Sequence, residues 1–172
     1  MGWGTLIQKA LGWEKIKEIT VESDTETVTL TNLNLPPGSF GLLLAFIINP
    51  TDVEVTYGMY VENDTNVNNY FRQYFRAEGG GLGYSSGNSA QIISIPANST
   101  GFVTVLISVS PGGKYKYFAL ANEGSESSQR LSFYAGTKTD TITGISQLEI
   151  FAAGDNVIGA GSKFVLLRCK GS

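Results

Sequence analysis

The chain of 172 residues contains no histidine and a single cysteine, Cys169. One cysteine cannot form an intramolecular disulfide, so the class of small secreted domains held by disulfides is excluded and the core must carry stability alone. Without histidine, the usual general base of serine and cysteine hydrolases is missing. Charge is sparse: 12 Lys and Arg against 15 Asp and Glu give a net charge of −3. That balance offers no bulk basic surface for nucleic acid, so a nucleic-acid partner is not expected. The longest apolar run, residues 40–48, is about half of the roughly 20 residues that span a bilayer as a helix. No membrane insertion is expected. Residues 1–17 also lack a basic leader followed by a long apolar core, so no secretory signal is expected.

What is present is a rhythm of short strands and turns. Hydrophobic residues make up 42% of the chain, and 21 glycines punctuate it. Residues 101–110 (GFVTVLISVS) set the pattern. Val103, Val105, Ile107 and Val109 fall on one face of an extended chain, and turn clusters flank the run. The pattern recurs at 27–33, 53–62, 70–77, 91–95, 114–120, 131–134, 145–151 and 163–167. Residues 40–49 (FGLLLAFIIN) are nearly continuous in apolar residues, which predicts a strand covered on both faces. About ten short strands at this spacing predict one all-β sandwich or barrel over residues 19–172.

Residues 3–17 are the one helical candidate. Trp3, Leu6, Ile7, Ala10 and Leu11 recur at i, i+3, i+4, i+7 and i+8, an apolar stripe that predicts a short amphipathic arm over 1–18. Such a helix either folds back over its own domain or docks on another subunit. The segment 78–88 (EGGGLGYSSGN) predicts a long exposed loop, with Gly79, Gly80, Gly81, Leu82, Gly83 and Tyr84 displayed outward.

Candidate chemistry is thin. Residues 83–87 match G-x-S-x-G as a string, but that motif requires a strand-to-helix turn and a histidine. Asp64, Asn66 and Asn68 open like a calcium loop, yet Asn69 stands where glycine is needed and Phe75 where glutamate is needed. An Asn-rich turn accounts for these residues without metal. Residues 159–163 do not satisfy the phosphate-loop pattern. The carboxylates are scattered, with no pair suited to glycosidase chemistry. No catalytic residue, cofactor or metal is expected, and the chain reads as a non-enzyme.

The run 70–77 (YFRQYFRA) carries aromatics on both faces of a strand. Tyr70, Arg72, Tyr74 and Arg76 share one face, and Phe71 and Phe75 share the other. The tyrosine face predicts either a subunit interface or a sugar-binding platform, or else an ordinary edge-to-core strand with surface tyrosines.

Residues 141–150 (TITGISQLEI) and 156–168 (NVIGAGSKFVLLR) resemble the closing strands of β-sandwich modules in virion structural proteins of tailed phages and related viruses. Residues 60–65 (YVENDT) with 69–71 (NYF), and 110–115 (SPGGKY), resemble two further segments of those modules in the same order. Two departures stand out: Glu62-Asn63 replaces the usual Asn-Gly, and residues 79–83 are richer in glycine. The resemblance implies an antiparallel, jelly-roll-like sandwich of about 8–10 strands on a particle surface, as a capsid, decoration, fibre or tail component made in the host cytoplasm. It implies partners among other copies of the chain and other virion proteins, with no catalytic residues. The alternative is a carbohydrate-binding module that recognises host-surface glycans.

Overall fold

A computed structural model describes residues 12–78, 81–125, 128–155 and 157–169. Twelve strands run through them: β1 (Trp13–Thr20), β2 (Thr27–Leu30), β3 (Phe40–Asn49), β4 (Val55–Val61), β5 (Tyr70–Glu78), β6 (Gly81–Asn88), β7 (Gln91–Ile95), β8 (Ser99–Val109), β9 (Lys114–Ser125), β10 (Ser128–Thr141), β11 (Leu148–Ala152) and β12 (Lys163–Cys169). They form an eight-stranded sheet, β1-β12-β3-β8-β9-β10-β5-β6, and a four-stranded sheet, β2-β11-β4-β7. Every pairing is antiparallel.

Five of the pairings are nested: β5 with β6, β4 with β7, β3 with β8, β2 with β11, and β1 with β12. That is one long antiparallel ribbon rolled onto itself, the signature of a jelly roll. The strand that ordinarily stands alone between β3 and β5 is here a three-stranded meander, β8-β9-β10. The larger sheet therefore outgrows the smaller one. β7, the free edge of the smaller sheet, packs over β8, β9 and β10, and β5 and β6 extend past it.

The core lies between the sheets. Leu43, Ala45 and Ile47 of β3, Val103, Val105 and Ile107 of β8, and Tyr57, Met59 and Val61 of β4 are buried. Their spacing of two residues follows the pleat of each strand. Tyr117 lies so close over Gly136 that a Cβ there would sit 2.2 Å from the ring. Only glycine fits at that point.

Several expectations are corrected. Residues 13–17 of the expected helix are strand, in β1, because backbone pairing with β12 outweighs their weak helical spacing. Trp3, Leu6, Ile7, Ala10 and Leu11 lie outside the described residues. Trp13 to Glu18, expected in the arm, are thus part of the larger sheet. The expected loop 78–88 is a hairpin whose second arm, β6, pairs with β5 without a register break from Gly81 to Asn88. Cross-strand hydrogen bonds there override a glycine-rich composition. β3 is covered on one face only, since its outward Phe40 and Phe46 are exposed.

Candidate functional site

Beyond the edge of β7, the inner face of β5 and β6 forms a partly exposed shelf. Tyr70, Arg72, Tyr74 and Arg76 project from β5 to this side. Tyr70 is wholly buried, which excludes it from any surface platform. Its hydroxyl accepts a bond from the Val61 N–H at 3.0 Å and donates to the Asp64 carbonyl at 2.9 Å. Arg72, Tyr74 and Arg76 are half-buried. The guanidinium carbons of Arg72 and Arg76 stand 4.7 and 5.9 Å from the centroid of the Tyr74 ring, within cation–π range. Opposite them on β6, Gly87 faces Arg72, Ser85 faces Tyr74 and Gly83 faces Arg76. Gly83 and Gly87 have open space where a Cβ would be, so the shelf has an almost bare backbone floor.

Beneath the shelf is a buried polar cluster centred on Glu123 of β9, which has no exposure. Its Oε1 accepts from the Ser94 N–H at 2.9 Å and the Tyr134 hydroxyl at 2.8 Å. Its Oε2 makes no well-directed hydrogen bond. That oxygen is held by charge, with Arg76 Nη2 at 3.3 Å and Arg130 Nε at 3.9 Å. Arg130 also pairs with Glu54 at 2.5 Å. Burial first, and then the Glu123 charge, push the Tyr134 hydroxyl well above its ordinary pKa, so it stays protonated and donates. Arg72 is arranged differently. Its Nη1 donates to Gln91 Oε1 at 2.9 Å, its Nε is buried without an acceptor, and it faces no carboxylate among the described residues.

The outer face of the larger sheet is apolar. One cross-strand row runs Leu44, Thr104, Leu120, Phe133, Phe75 and Tyr84. Flanking rows place Phe46 against Phe102, Leu42 against Leu106 and Phe118, and Leu131 against Ala77 and Leu82. Phe118, Phe133 and Phe75 form a ladder of tilted rings 6.2 Å apart. Phe46, Phe71, Phe75, Phe102, Leu106 and Phe118 are 40–46% exposed, and Leu82 and Tyr84 reach 72% and 87%. With roughly 200 Å² per large side chain, these exposures amount to about 800 Å² of largely apolar surface. A typical monomer's largest patch is about 300–600 Å². On β5, then, the phenylalanine face is outward and the tyrosine face is the inner one.

The remaining sequence motifs have structural roles. The Asp64 carboxylate accepts from the Asn66 N–H at 3.2 Å and the Asn69 amide, and pairs with Lys138 Nζ at 2.7 Å. An ammonium group thus takes the place in the Asn-rich turn that a metal ion would fill. Burial raises the Asp64 carboxyl, but Lys138 and the two asparagines more than offset it and hold it below its ordinary pKa. No cluster of three metal-ligating side chains occurs among the described residues. Residues 83–87, the G-x-S-x-G string, lie on β6 rather than in a strand-to-helix turn. Gly81, Leu82, Gly83 and Tyr84 are exposed there, whereas Gly79 and Gly80 lie outside the described residues. A groove of about 290 Å³ at one end of the sandwich includes Glu62 and residues 143–146. The Glu62 carboxylate is occupied by the Ser146 hydroxyl and the Gln147 N–H.

Sequence reasoning missed Glu123, Gln91, Ser94 and Arg130 as a cluster, because three separate strands, β7, β9 and β10, supply them.

No protein-family model matches the chain, and no curated protein matches it. Among solved structures, it is similar to a toad ovary galectin in complex with thio-digalactose, at 13% identity over 81% of this chain and 98% of that one, with a TM-score of 0.35. It is similar to a Caenorhabditis elegans galectin at 15% identity, covering 86% and 94%, with a TM-score of 0.37. It is also similar to a tripod from the baseplate of bacteriophage Tuc2009 at 13% identity, covering 99% and 69%, with a TM-score of 0.31. At such identities and TM-scores, the likenesses assign the chain neither a family nor a function.

Proposed function

We propose that the chain is a non-enzymatic virion structural protein, a surface capsid, decoration or fibre-type jelly roll that assembles with further copies of itself. The observation that carries this reading is the apolar outer face of the eight-stranded sheet. Its area is close to the roughly 800 Å² that each partner contributes to a standard interface. The occupant is a second copy, because the aromatic and aliphatic rows from Leu44 to Tyr84 and from Phe46 to Leu131 carry no charge and can pack against the same rows of another chain. The resemblance of residues 141–168 to virion modules supports the setting. Light scattering of the purified chain tests the assembly. The native chain is expected to be oligomeric, and Phe102→Glu with Phe118→Glu is expected to reduce it to a folded monomer. A native chain that stays monomeric at high concentration overturns the reading.

A second reading, carbohydrate binding, is supported by the shelf of β5 and β6. Its half-buried Tyr74, flanking arginines and bare floor offer a ledge open to solvent beside hydrogen-bonding side chains.

A further inference from the structure

We infer that the shelf of β5 and β6 takes an acidic saccharide, one whose carboxylate or sulfate group is held by Arg72. This rests on the carbohydrate-binding reading and names the ligand class that it leaves open.

The inference starts from an imbalance among the arginines. Arg76 and Arg130 both contact Glu123, and Arg130 also contacts Glu54. Arg72 forms no ion pair among the described residues, and its Nε is shielded from water without an acceptor. That Nε lies inside the protein, out of a ligand's reach, so an anion must be met by the Nη groups of the half-buried side chain. The guanidinium is not loose. Gln91 Oε1 fixes Nη1 on one side, and the Tyr74 ring lies 4.7 Å from its carbon on the other. A guanidinium held in place with no carboxylate partner suits a carboxylate or sulfate at its outer nitrogens.

The surroundings select the rest of the ligand. Gly87 lies directly across from Arg72 with nothing within 4 Å of a Cβ position, and Gly83 is equally open. An anionic group can therefore approach over the β6 backbone without displacing a side chain. Ser85 lies between the two glycines, and Tyr74 is beside it. The Tyr74 hydroxyl and the Ser85 hydroxyl are matched to the hydroxyls of a sugar ring. The hydroxyls of Tyr74 and Ser85 and the bare glycine backbone offer polar partners rather than apolar walls, which favours a saccharide over an acidic peptide.

The test is titration calorimetry on the full chain with three probes: an oligosaccharide ending in glucuronic acid, its neutral glucose-terminated equivalent, and a hexaglutamate peptide. The acidic saccharide is expected to bind. Arg72→Gln is expected to weaken it by about tenfold or more, the scale of one charge-assisted hydrogen bond. Gly87→Val fills open space on an extended strand, leaves the fold intact, and is expected to block binding independently of the arginine. Equal binding of the acidic and neutral saccharides overturns this inference and leaves the carbohydrate reading standing. Binding of no saccharide overturns both. Preference for the peptide, or acidic-saccharide binding unchanged in both variants, also overturns it.

Discussion

Replacing Glu123 with glutamine removes one charge and almost no volume from the most buried ionic site in the described fold. Glutamine keeps an oxygen to accept from the Ser94 N–H and the Tyr134 hydroxyl, so those two bonds survive. What is lost is the negative charge 3.3 Å from Arg76 and 3.9 Å from Arg130. Removing one partner of a buried ion pair typically costs about 3–5 kcal/mol, because the remaining charge stays desolvated. The Arg76 side chain retains 20% exposure, and Arg130 keeps Glu54. Those two facts place the expected loss at the lower end, about 3 kcal/mol. With a urea dependence of about 2 kcal/mol per molar, that moves the unfolding midpoint down by roughly 1.5 M. The melting temperature should fall by about 6–12 °C for a chain of this size. Circular dichroism in urea and on heating reads both quantities. A loss below about 1 kcal/mol refutes the claim that charge, rather than hydrogen bonding, fastens the cluster. A double-mutant cycle with Arg76→Met should then show no coupling.

Four further outcomes follow from the same physical rules. Tyr115→Phe removes a hydroxyl that is buried without a partner and should leave stability unchanged or raise it by up to about 1 kcal/mol. Tyr70→Phe strands the Val61 N–H and the Asp64 carbonyl and should cost about 1–3 kcal/mol in the same urea assay. Equal effects from the two would contradict the hydrogen-bond assignments. The Asp64–Lys138 pair makes stability depend on acid. Asp64 titrates lower folded than unfolded, so its contribution is complete above the ordinary carboxylate range and lost as pH falls through the depressed value. The urea midpoint should therefore drop between about pH 5 and pH 2, and Lys138→Met should flatten that part of the profile; an unchanged slope in the variant would remove Lys138 as the cause. Gly136→Ala forces the Tyr117 ring off its position and breaks its 2.9 Å bond to the Gln91 carbonyl. It should cost about 1–3 kcal/mol, and a variant as stable as the native chain would show that the ring can shift freely.

The elements that the sequence reveals are those whose own residues decide their structure. β8 is legible because Val103, Val105 and Ile107 alternate with Phe102, Thr104 and Leu106, and its turns are marked by Asn98 and by Ser110 to Gly113. β3 is legible as a strand but not in its covering, because hydropathy does not distinguish a face buried by the same chain from one left for a partner. The same ambiguity affects β5. Aromatics on both faces conceal which side is core, and only the acceptors that the Tyr70 hydroxyl finds in the 61–64 turn settle it. β6 reads as a loop from Gly83, Ser85 and Gly87, since its strand character comes from β5 rather than from its own propensity. β1 is misread for a similar reason, since residues 13–17 continue the helical candidate by sequence while the backbone of Trp13 to Lys15 and of Lys17 onward pairs with β12. At the Asp64 turn the nearby asparagines are visible, but the cation that completes it is Lys138, far along the chain.

The nested pairing of the strands also fixes a problem of timing. β5 and β6 meet across a short turn, with Glu78 opposite Gly81, whereas Leu30 of β2 must find Leu148 of β11. Each outer layer of the roll closes a longer stretch of chain than the one inside it, at a rising cost in entropy. The β8-β9-β10 meander and the β5-β6 hairpin form from neighbours and are the natural first pieces. β2 with β11, and around them β1 with β12, where Trp13 meets Cys169, are the last to be secured, so the chain should fold slowly for its length. Until they close, the inward faces of both sheets and the apolar outer face are exposed together, and it is in that interval that a newly made chain is most prone to aggregate with another copy.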